Sequence, residues 1–184
     1  MKKLIIILTF LSLTFLTTSK AYAYCNIRPS AISDLHDLYK YTHGELSRPK
    51  LKIDNGKLTA SEGIQTQLYG VESTKKYYLG AYTQNDKITV YSRIFKLHKK
   101  CDEHVKSKLR GMLAHEYTHY LDNYGVLSNL IHASDIEQTA IISEYVLSKL
   151  AWGNLNVQYT RPLTLAEQGK ATILKSFFIQ NNEQ

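Results

Sequence analysis

Two histidines and one glutamate stand at a spacing that suits metal chemistry in the segment of residues 111–123. His115 and His119 are one helical turn apart, so on a helix both rings face the same point in space. A zinc ion suits that point. Glu116 lies between them and does not easily bind the same ion, but its carboxylate reaches a water bound to the metal. This arrangement is typical of metal-assisted hydrolysis.

The residues around this motif predict a helix. Residues 102–124 contain no proline, Gly125 follows as a stop signal, and apolar side chains recur at helical spacing. The apolar positions are Val105, Leu109, Met112, Leu113, Tyr117, Tyr120 and Leu121. In the alternative interpretation, His115 and His119 are ordinary polar residues on a helix that packs by its other side.

A catalytic zinc site needs a third protein ligand in addition to two histidines. The metzincin pattern would place glycine and then histidine three and six residues after His119, but Asp122 and Gly125 occupy those positions. That class is therefore excluded. A ligand on a second helix is expected instead, and Glu137 stands 18 residues after His119.

These residues resemble those of the gluzincin metallopeptidases, which carry HExxH and then a glutamate on the following helix at about this separation. The resemblance covers approximately residues 88–150 and rests on His115, Glu116, His119 and Glu137. It implies an α+β, zincin-like fold with a small mixed or antiparallel sheet, an active-site helix and a C-terminal helical part. It also implies one catalytic Zn²⁺ bound by the two histidines and Glu137.

Two positions on the second helix bear on this resemblance. Ala140 matches the small residue that follows the third ligand by one turn in many members. Ile141 departs from the thermolysin-like members, which carry there an aspartate that orients a zinc histidine. The groups that orient the histidines in this chain must therefore be different ones, and the closest subfamily stays open.

The third ligand has competing interpretations. Ser134 and Glu137 form a capping box, in which the glutamate would bind the backbone N–H of the cap residue instead of a metal. Glu144, two turns further along the same face, is a second candidate ligand. Asp122 is a third, although side chains on a helix lean toward its N-terminus and carry it only partly toward the metal.

The chemistry that follows is hydrolysis of a peptide bond in a peptide or protein substrate. Glu116 is the expected general base, which accepts a proton from the zinc-activated water and returns it to the departing amine. One more donor would stabilise the developing oxyanion. The sequence offers four candidates for that role without ranking them, namely His132, Tyr145, Tyr159 and Arg161.

Two hairpins and an N-terminal helix are expected before the main helix. A helix over residues 30–43 would cover the sheet. Residues 51–59 alternate on both sides of Asn55-Gly56, which predicts a first hairpin. Residues 77–82 and 87–94 predict a second hairpin, and its residues 88–92 are the edge strand expected to bind an extended peptide. In the alternative, that strand only completes the sheet.

Helices are also expected after the main helix. One begins near Ser134 and ends at Gly153, and the last opens with the capping box Thr164-x-x-Glu167. The aromatic residues of this last helix are expected to lie in the core.

The chain of 184 residues is expected to hold one domain behind an export signal. Residues 1–23 read as a signal peptide, because Lys2 and Lys3 precede an apolar run over residues 4–16 and a small-x-small cleavage site at residues 21–23. Residues 24–184 would then form a single metallopeptidase domain, periplasmic or secreted, without a stable membrane anchor. The alternative is that the apolar run is retained as an anchor.

The charge of the mature chain is only mildly positive. Removal of the three lysines among residues 1–23 lowers the formal net charge from +7 to +4. No segment resembles a nucleic-acid-binding module, so nucleic acid is not an expected partner. The oligomeric state is not indicated by any pattern in the sequence.

Two cysteines remain after signal removal, and an even count in an exported protein predicts a disulfide. A bond between Cys25 and Cys101 would hold the new N-terminus beside the start of the main helix. The alternative is a second metal site formed by His98, Cys101 and His104.

Two further functions fit the same residues. One is a non-catalytic binding module of the cell envelope, in which the zinc is structural or absent. The other is a zinc amidase that acts on cell-wall peptides. A structural zinc has four protein ligands whereas a catalytic zinc keeps a water, so the number of ligands separates the first alternative from an enzyme.

Overall fold

The part of the chain that the structure describes has a mixed α/β architecture with four helices and a small mixed sheet. The computed structural model describes residues 25–41, 46–55, 58–60, 77–79, 81–95, 100–128, 130, 135–153 and 163–182. The helices are α1 (Arg28–Tyr39), α2 (Glu103–Asn123), α3 (Ile136–Trp152) and α4 (Leu165–Asn182). The strands are β1 (Lys50–Asp54), β2 (Leu58–Ala60), β3 (Tyr77–Leu79), β4 (Ala81–Gln84) and β5 (Lys87–Tyr91), and a 3-10 turn covers Ser92–Phe95.

The main sheet has three strands in the order β1-β5-β4, and β2 and β3 form a separate antiparallel pair. β1 runs parallel to β5, and β4 runs antiparallel to it. Three consecutive residues of β5, Ile88, Thr89 and Val90, are buried, as expected of a strand that is covered on both faces. The prediction that residues 88–92 form the edge is therefore wrong, because β5 is the central strand and β4 is an outer one.

The second predicted hairpin is confirmed in part, because its strands are shorter than predicted: Tyr77–Leu79 pairs with β2 instead, and Ser92–Phe95 is a 3-10 turn. β4 and β5 pair across a two-residue turn of Asn85 and Asp86. Asn85 has a φ of 52°, a left-handed conformation that asparagine tolerates and that such turns require.

The first predicted hairpin is wrong, although both of its strands form. β1 lies in the three-stranded sheet and β2 pairs with β3, so the strands that flank Asn55 are not partners. Leu51 and Ile53 of β1 lie beside Ile88 and Val90 of β5, where they pack against the hydrophobic core. Burial of apolar side chains therefore selects the partner of β1, and the local turn signal does not.

Helix α2 lies at the centre of the molecule. Its N-cap residue Asp102 accepts a hydrogen bond from the backbone N–H of Val105 at 2.9 Å, and the chain leaves the helix at Gly125, whose φ is 71°. Helices α1 and α3 and strand β4 all pack against it. Its fully buried side chains include Leu109, Leu113, Tyr117, Tyr120 and Leu121.

Helix α1 was expected to cover the sheet, but it packs mainly against α2. Its buried face contains Ala31, Leu35 and Leu38, which belong to the same core as the buried face of α2. A polar contact reinforces this packing, since the carboxylate of Asp34 accepts a hydrogen bond from Nε of Arg110 at 3.1 Å. Burial raises the pKa of Asp34, and the Arg110 guanidinium opposes that rise.

The two C-terminal helices are confirmed. Helix α3 ends at Gly153, which has a φ of 70°. Helix α4 opens with the predicted capping box, in which the backbone N–H of Thr164 donates to Glu167 at 2.8 Å and that of Glu167 donates to Thr164 Oγ1 at 3.3 Å. Leu174 and Phe178 of α4 are buried in the core.

The predicted disulfide between Cys25 and Cys101 is present and closes a sequence separation of 76. It joins the segment before α1 to the residue that precedes the N-cap of α2. The alternative metal site at this place is wrong, because the sulfur of Cys101 is bonded to Cys25. His98, another proposed ligand of that site, lies outside the described residues.

Among the helices in the described ranges, none combines the length and the apolar character needed to cross a bilayer. Residues 1–23, the expected signal peptide, fall outside those ranges.

Loss of the disulfide is expected to destabilise the folded chain by about 4 kcal/mol, because the bond restricts the unfolded state over a long loop. Urea unfolding of the oxidised protein and of the double variant Cys25→Ser/Cys101→Ser measures the difference. The reduced parent is the control and should match the variant. Two reactive thiols in the native protein, measured with a thiol reagent, would contradict the bond.

Candidate metal centre

His115 and His119 lie on one face of α2 and point at the same place. Their Nε2 atoms are 3.2 Å apart, and their ring centroids are 5.0 Å apart with an angle of 65° between the ring planes. Each side chain is 21% exposed, so the pair sits near the surface of a helix that is otherwise deeply buried. The spacing of four residues places both rings on one side of the helix, as predicted.

Glu137 in the first turn of α3 completes this group. One carboxylate oxygen is 3.3 Å from Nε2 of His119, and the other is 3.5 Å from Nε2 of His115. Both oxygens therefore face the histidines, which favours the role of a ligand over that of a helix cap. The residue at the N-cap position is Asp135, and Ser134 of the predicted capping box lies outside the described residues.

The separations between these donor atoms fit a single metal ion. One donor atom from each of the three residues lies within 4.8 Å of the others. Ligand atoms at about 2.0–2.1 Å from a tetrahedral metal are about 3.3–3.4 Å apart. The two Nε2 atoms are 3.2 Å apart, and each lies 3.3 or 3.5 Å from a different oxygen of the Glu137 carboxylate, which is close to that value. The group can therefore hold a metal ion without a large rearrangement.

The electrostatics of the site also favour a cation. Hydrogen bonds with His115 and His119 hold the pKa of Glu137 far below its ordinary value. Burial lowers the pKa of His115, but the contact with Glu137 and the charges of Glu116 and Glu144 outweigh burial and raise it. Three carboxylates therefore surround the two imidazoles, and a positive charge placed among them offsets their repulsion.

Glu116 lies on the sheet side of α2. It is 9% exposed, and its Oε2 accepts a hydrogen bond from the hydroxyl of Thr83 at 2.7 Å. The same hydroxyl is 2.9 Å from the backbone oxygen of Glu116. Thr83 belongs to the outer strand β4, so the sheet holds the Glu116 carboxylate in place. The third donor of the metal group, Glu137, comes from a different element, helix α3.

Glu144, the second candidate ligand, lies on the other side of His115. Its Oε2 is 4.0 Å from Nδ1 of His115, whereas Glu137 faces Nε2. Glu144 does not belong to the group of donors that share one point, and neither does Asp122. Within the described part of the chain, the third donor is Glu137.

Of the four residues proposed as oxyanion stabilisers, Tyr145 is the one that lies within the described residues. Tyr145 is half-buried and packs against the hydrophobic core. His132, Tyr159 and Arg161 lie outside the described residues, so their roles stay predictions.

Two residues that contact the site were not identified from the sequence. Thr83 stands in a hairpin of ordinary alternation, and no local signal marks its hydroxyl as a partner of Glu116. Gly111 does carry a signal, because a glycine in a helix interior costs about 0.5–1 kcal/mol relative to alanine and indicates a close approach. The side chain that approaches Gly111 is Glu144.

Comparison with known proteins finds no matching family model, no matching curated protein and no matching solved structure. The geometry of the site is therefore what supports a function.

The purified protein is expected to bind one divalent ion, measured by titration with Zn²⁺ or Co²⁺. The variants His119→Ala and Glu137→Ala should each weaken binding by about 100-fold or more, because each removes one of three ligands. His104→Ala is the matched control, since His104 is an exposed histidine of α2 outside the group. Equal affinity in Glu137→Ala and the parent would show that Glu137 is not a ligand.

Proposed function

We propose that this protein is an exported zinc metallopeptidase of the gluzincin type with a zincin-like fold. One Zn²⁺ is held by His115, His119 and Glu137. The observation that carries the proposal is the convergence of two Nε2 atoms and one carboxylate at separations of 3.2 to 3.5 Å. Glu116 stands beside this group on the helix that carries both histidines.

The donor set supports zinc over the other common divalent ions. Imidazole nitrogen is a preferred ligand of zinc, whereas calcium and magnesium select oxygen ligands. Two histidines and one carboxylate form a set of three, which leaves a position for water at a four-coordinate ion. The site is also open to solvent, since the side chain of Glu137 is 52% exposed. A set of three donors in the described residues, at an open surface, supports a catalytic role over a structural one.

The roles in hydrolysis follow from the positions of these side chains. When bound, zinc lowers the pKa of a water ligand and polarises the carbonyl of the scissile bond. Glu116 accepts a proton from the attacking water, whose oxygen forms a bond to the carbonyl carbon. Glu116 then gives that proton to the amide nitrogen as the C–N bond breaks, so the products are a carboxylate and an amine. The Thr83 hydroxyl keeps the Glu116 carboxylate in one orientation throughout.

The substrate is a peptide or protein segment in extended form. Because β4 is an outer strand of the three-stranded sheet and contains Thr83, a segment that adds to β4 as a further strand would run beside Glu116. The proposed binding strand is therefore β4 and not the strand over residues 88–92 that the sequence predicts. Export agrees with the disulfide, since such bonds persist in oxidising compartments.

The variant Glu116→Gln is expected to keep zinc and to lose hydrolysis of an unfolded protein such as casein by a factor of about 10² to 10⁴, because glutamine accepts no proton. Zinc content and turnover are measured on the same sample. Glu103→Gln, at an exposed glutamate of the same helix, is the control and should behave as the parent. Full activity in Glu116→Gln would refute the mechanism, and digestion of peptidoglycan but not of casein would assign the activity to a cell-wall amidase.

The variant Thr83→Val is expected to lower kcat about tenfold with unchanged zinc content. It removes a hydrogen bond to a carboxylate worth ~1.5 kcal/mol and keeps the shape of the side chain. Thr83→Ser, which keeps the hydroxyl, should restore most of the rate. If valine and serine reduce kcat equally, the hydroxyl does not position Glu116.

A further inference from the structure

Glu144 is a carboxylate in an unusual place. It lies on α3 close to the buried residues Ser143 and Val146, and its own side chain is only 22% exposed. A carboxyl group that is this enclosed costs free energy unless a partner offsets its desolvation.

The closest functional partner is the ring of His115. Oε2 of Glu144 is 4.0 Å from Nδ1 of His115. The other ring nitrogen, Nε2, is the atom that faces His119 and Glu137. The imidazole of His115 on α2 therefore lies between two carboxylates of α3. Glu137 is on the side of the proposed metal, and Glu144 is on the opposite side.

Gly111 makes room for this carboxylate. It stands one turn before His115 on α2, and a Cβ atom added there would lie 2.5 Å from Oε1 of Glu144 and 3.3 Å from its Cδ. Real Cβ atoms do not approach an oxygen so closely. One oxygen of Glu144 thus rests against the backbone of α2 at Gly111 while the other is directed toward His115. The close approach of Glu144 to α2 therefore explains both why position 111 is a glycine and why this glutamate is enclosed.

We propose that Glu144 is a positioning residue for the metal site, which accepts a hydrogen bond from Nδ1–H of His115 and so presents Nε2 of that ring to the metal. Such contacts fix the tautomer and the orientation of ligating histidines, and they raise metal affinity by 10 to 100-fold. The 4.0 Å separation exceeds a hydrogen bond by about 1 Å. The proposed hydrogen bond therefore requires the Glu144 carboxylate to move about 1 Å toward Nδ1. The inference rests on the proposed metal site.

A double-mutant cycle on the full mature chain tests this role. Zn²⁺ affinity is measured by competition with a chromogenic chelator for the parent, Glu144→Ala, Gly111→Ala and the double variant. Glu144→Ala is expected to lower the Zn²⁺ affinity about 10 to 100-fold. Gly111→Ala is expected to lower it several-fold, because the added methyl group displaces the Glu144 carboxylate. The double variant should be no worse than Glu144→Ala alone, since nothing remains to be displaced. Equal effects of Gly111→Ala with and without Glu144 would overturn the proposal.

A second measurement separates positioning from folding. Glu144→Gln keeps the size of the side chain, and circular dichroism of each metal-free variant reports whether it folds. In ¹⁵N-histidine-labelled protein loaded with Zn²⁺, the Nδ1–H signal of His115 should move in Glu144→Gln while that of His119 stays. An unchanged His115 signal together with unchanged affinity would overturn the proposal.

Two other outcomes have distinct meanings. A parent protein that binds no Zn²⁺ would refute the proposed metal site itself. A loss in Glu144→Ala as large as that in Glu137→Ala would make Glu144 a ligand, which overturns the positioning role and leaves the metal site in place.

Discussion

The packing of α3 against α2 is the constraint on which the site depends. It places Glu137 on the Nε2 side of His115 and Glu144 on the Nδ1 side, seven residues apart on one helix. Together with Glu116, these groups form a cluster of negative charge around two imidazoles, which a bound cation would relieve. Because the cluster exists only when the helices are docked, an ion that binds it also stabilises the docked state.

A glycine of α2 makes room for the side chain of α3 that lies beside His115. A Cβ atom at Gly111 would lie 2.5 Å from Oε1 of Glu144, so the absence of a side chain at Gly111 leaves space for that carboxylate. Strand β4 also contacts α2 at this place, because the Thr83 hydroxyl donates to the carboxylate of Glu116 and lies 2.9 Å from its backbone oxygen. The helix that carries the motif is therefore held by helix and sheet together, which limits the motion of all three of its functional residues.

Local patterns predicted the parts of this structure whose cause is local. The helix over residues 102–124, the capping box at Thr164 and the turn at Asn85 each depend on neighbours in sequence. The partner of β1 and the position of β5 depend on burial across distant segments, so Asn55-Gly56 suggested a hairpin that does not form. At the site, His115 and His119 followed from helical spacing. The contacts of Thr83 and Glu144 cross between elements, and only the packed fold brings them to Glu116 and His115.

The covalent link between Cys25 and Cys101 has a consequence for the integrity of the chain. The five strands of the described residues lie within the loop that it closes, whereas the histidine motif and Glu137 lie beyond it. A single backbone cut between the two cysteines leaves both pieces attached, so the strand that holds Thr83 is not released from the helix that holds Glu116. For a chain proposed to hydrolyse peptide bonds, the disulfide therefore keeps the two fragments together after a single autoproteolytic cleavage in that region.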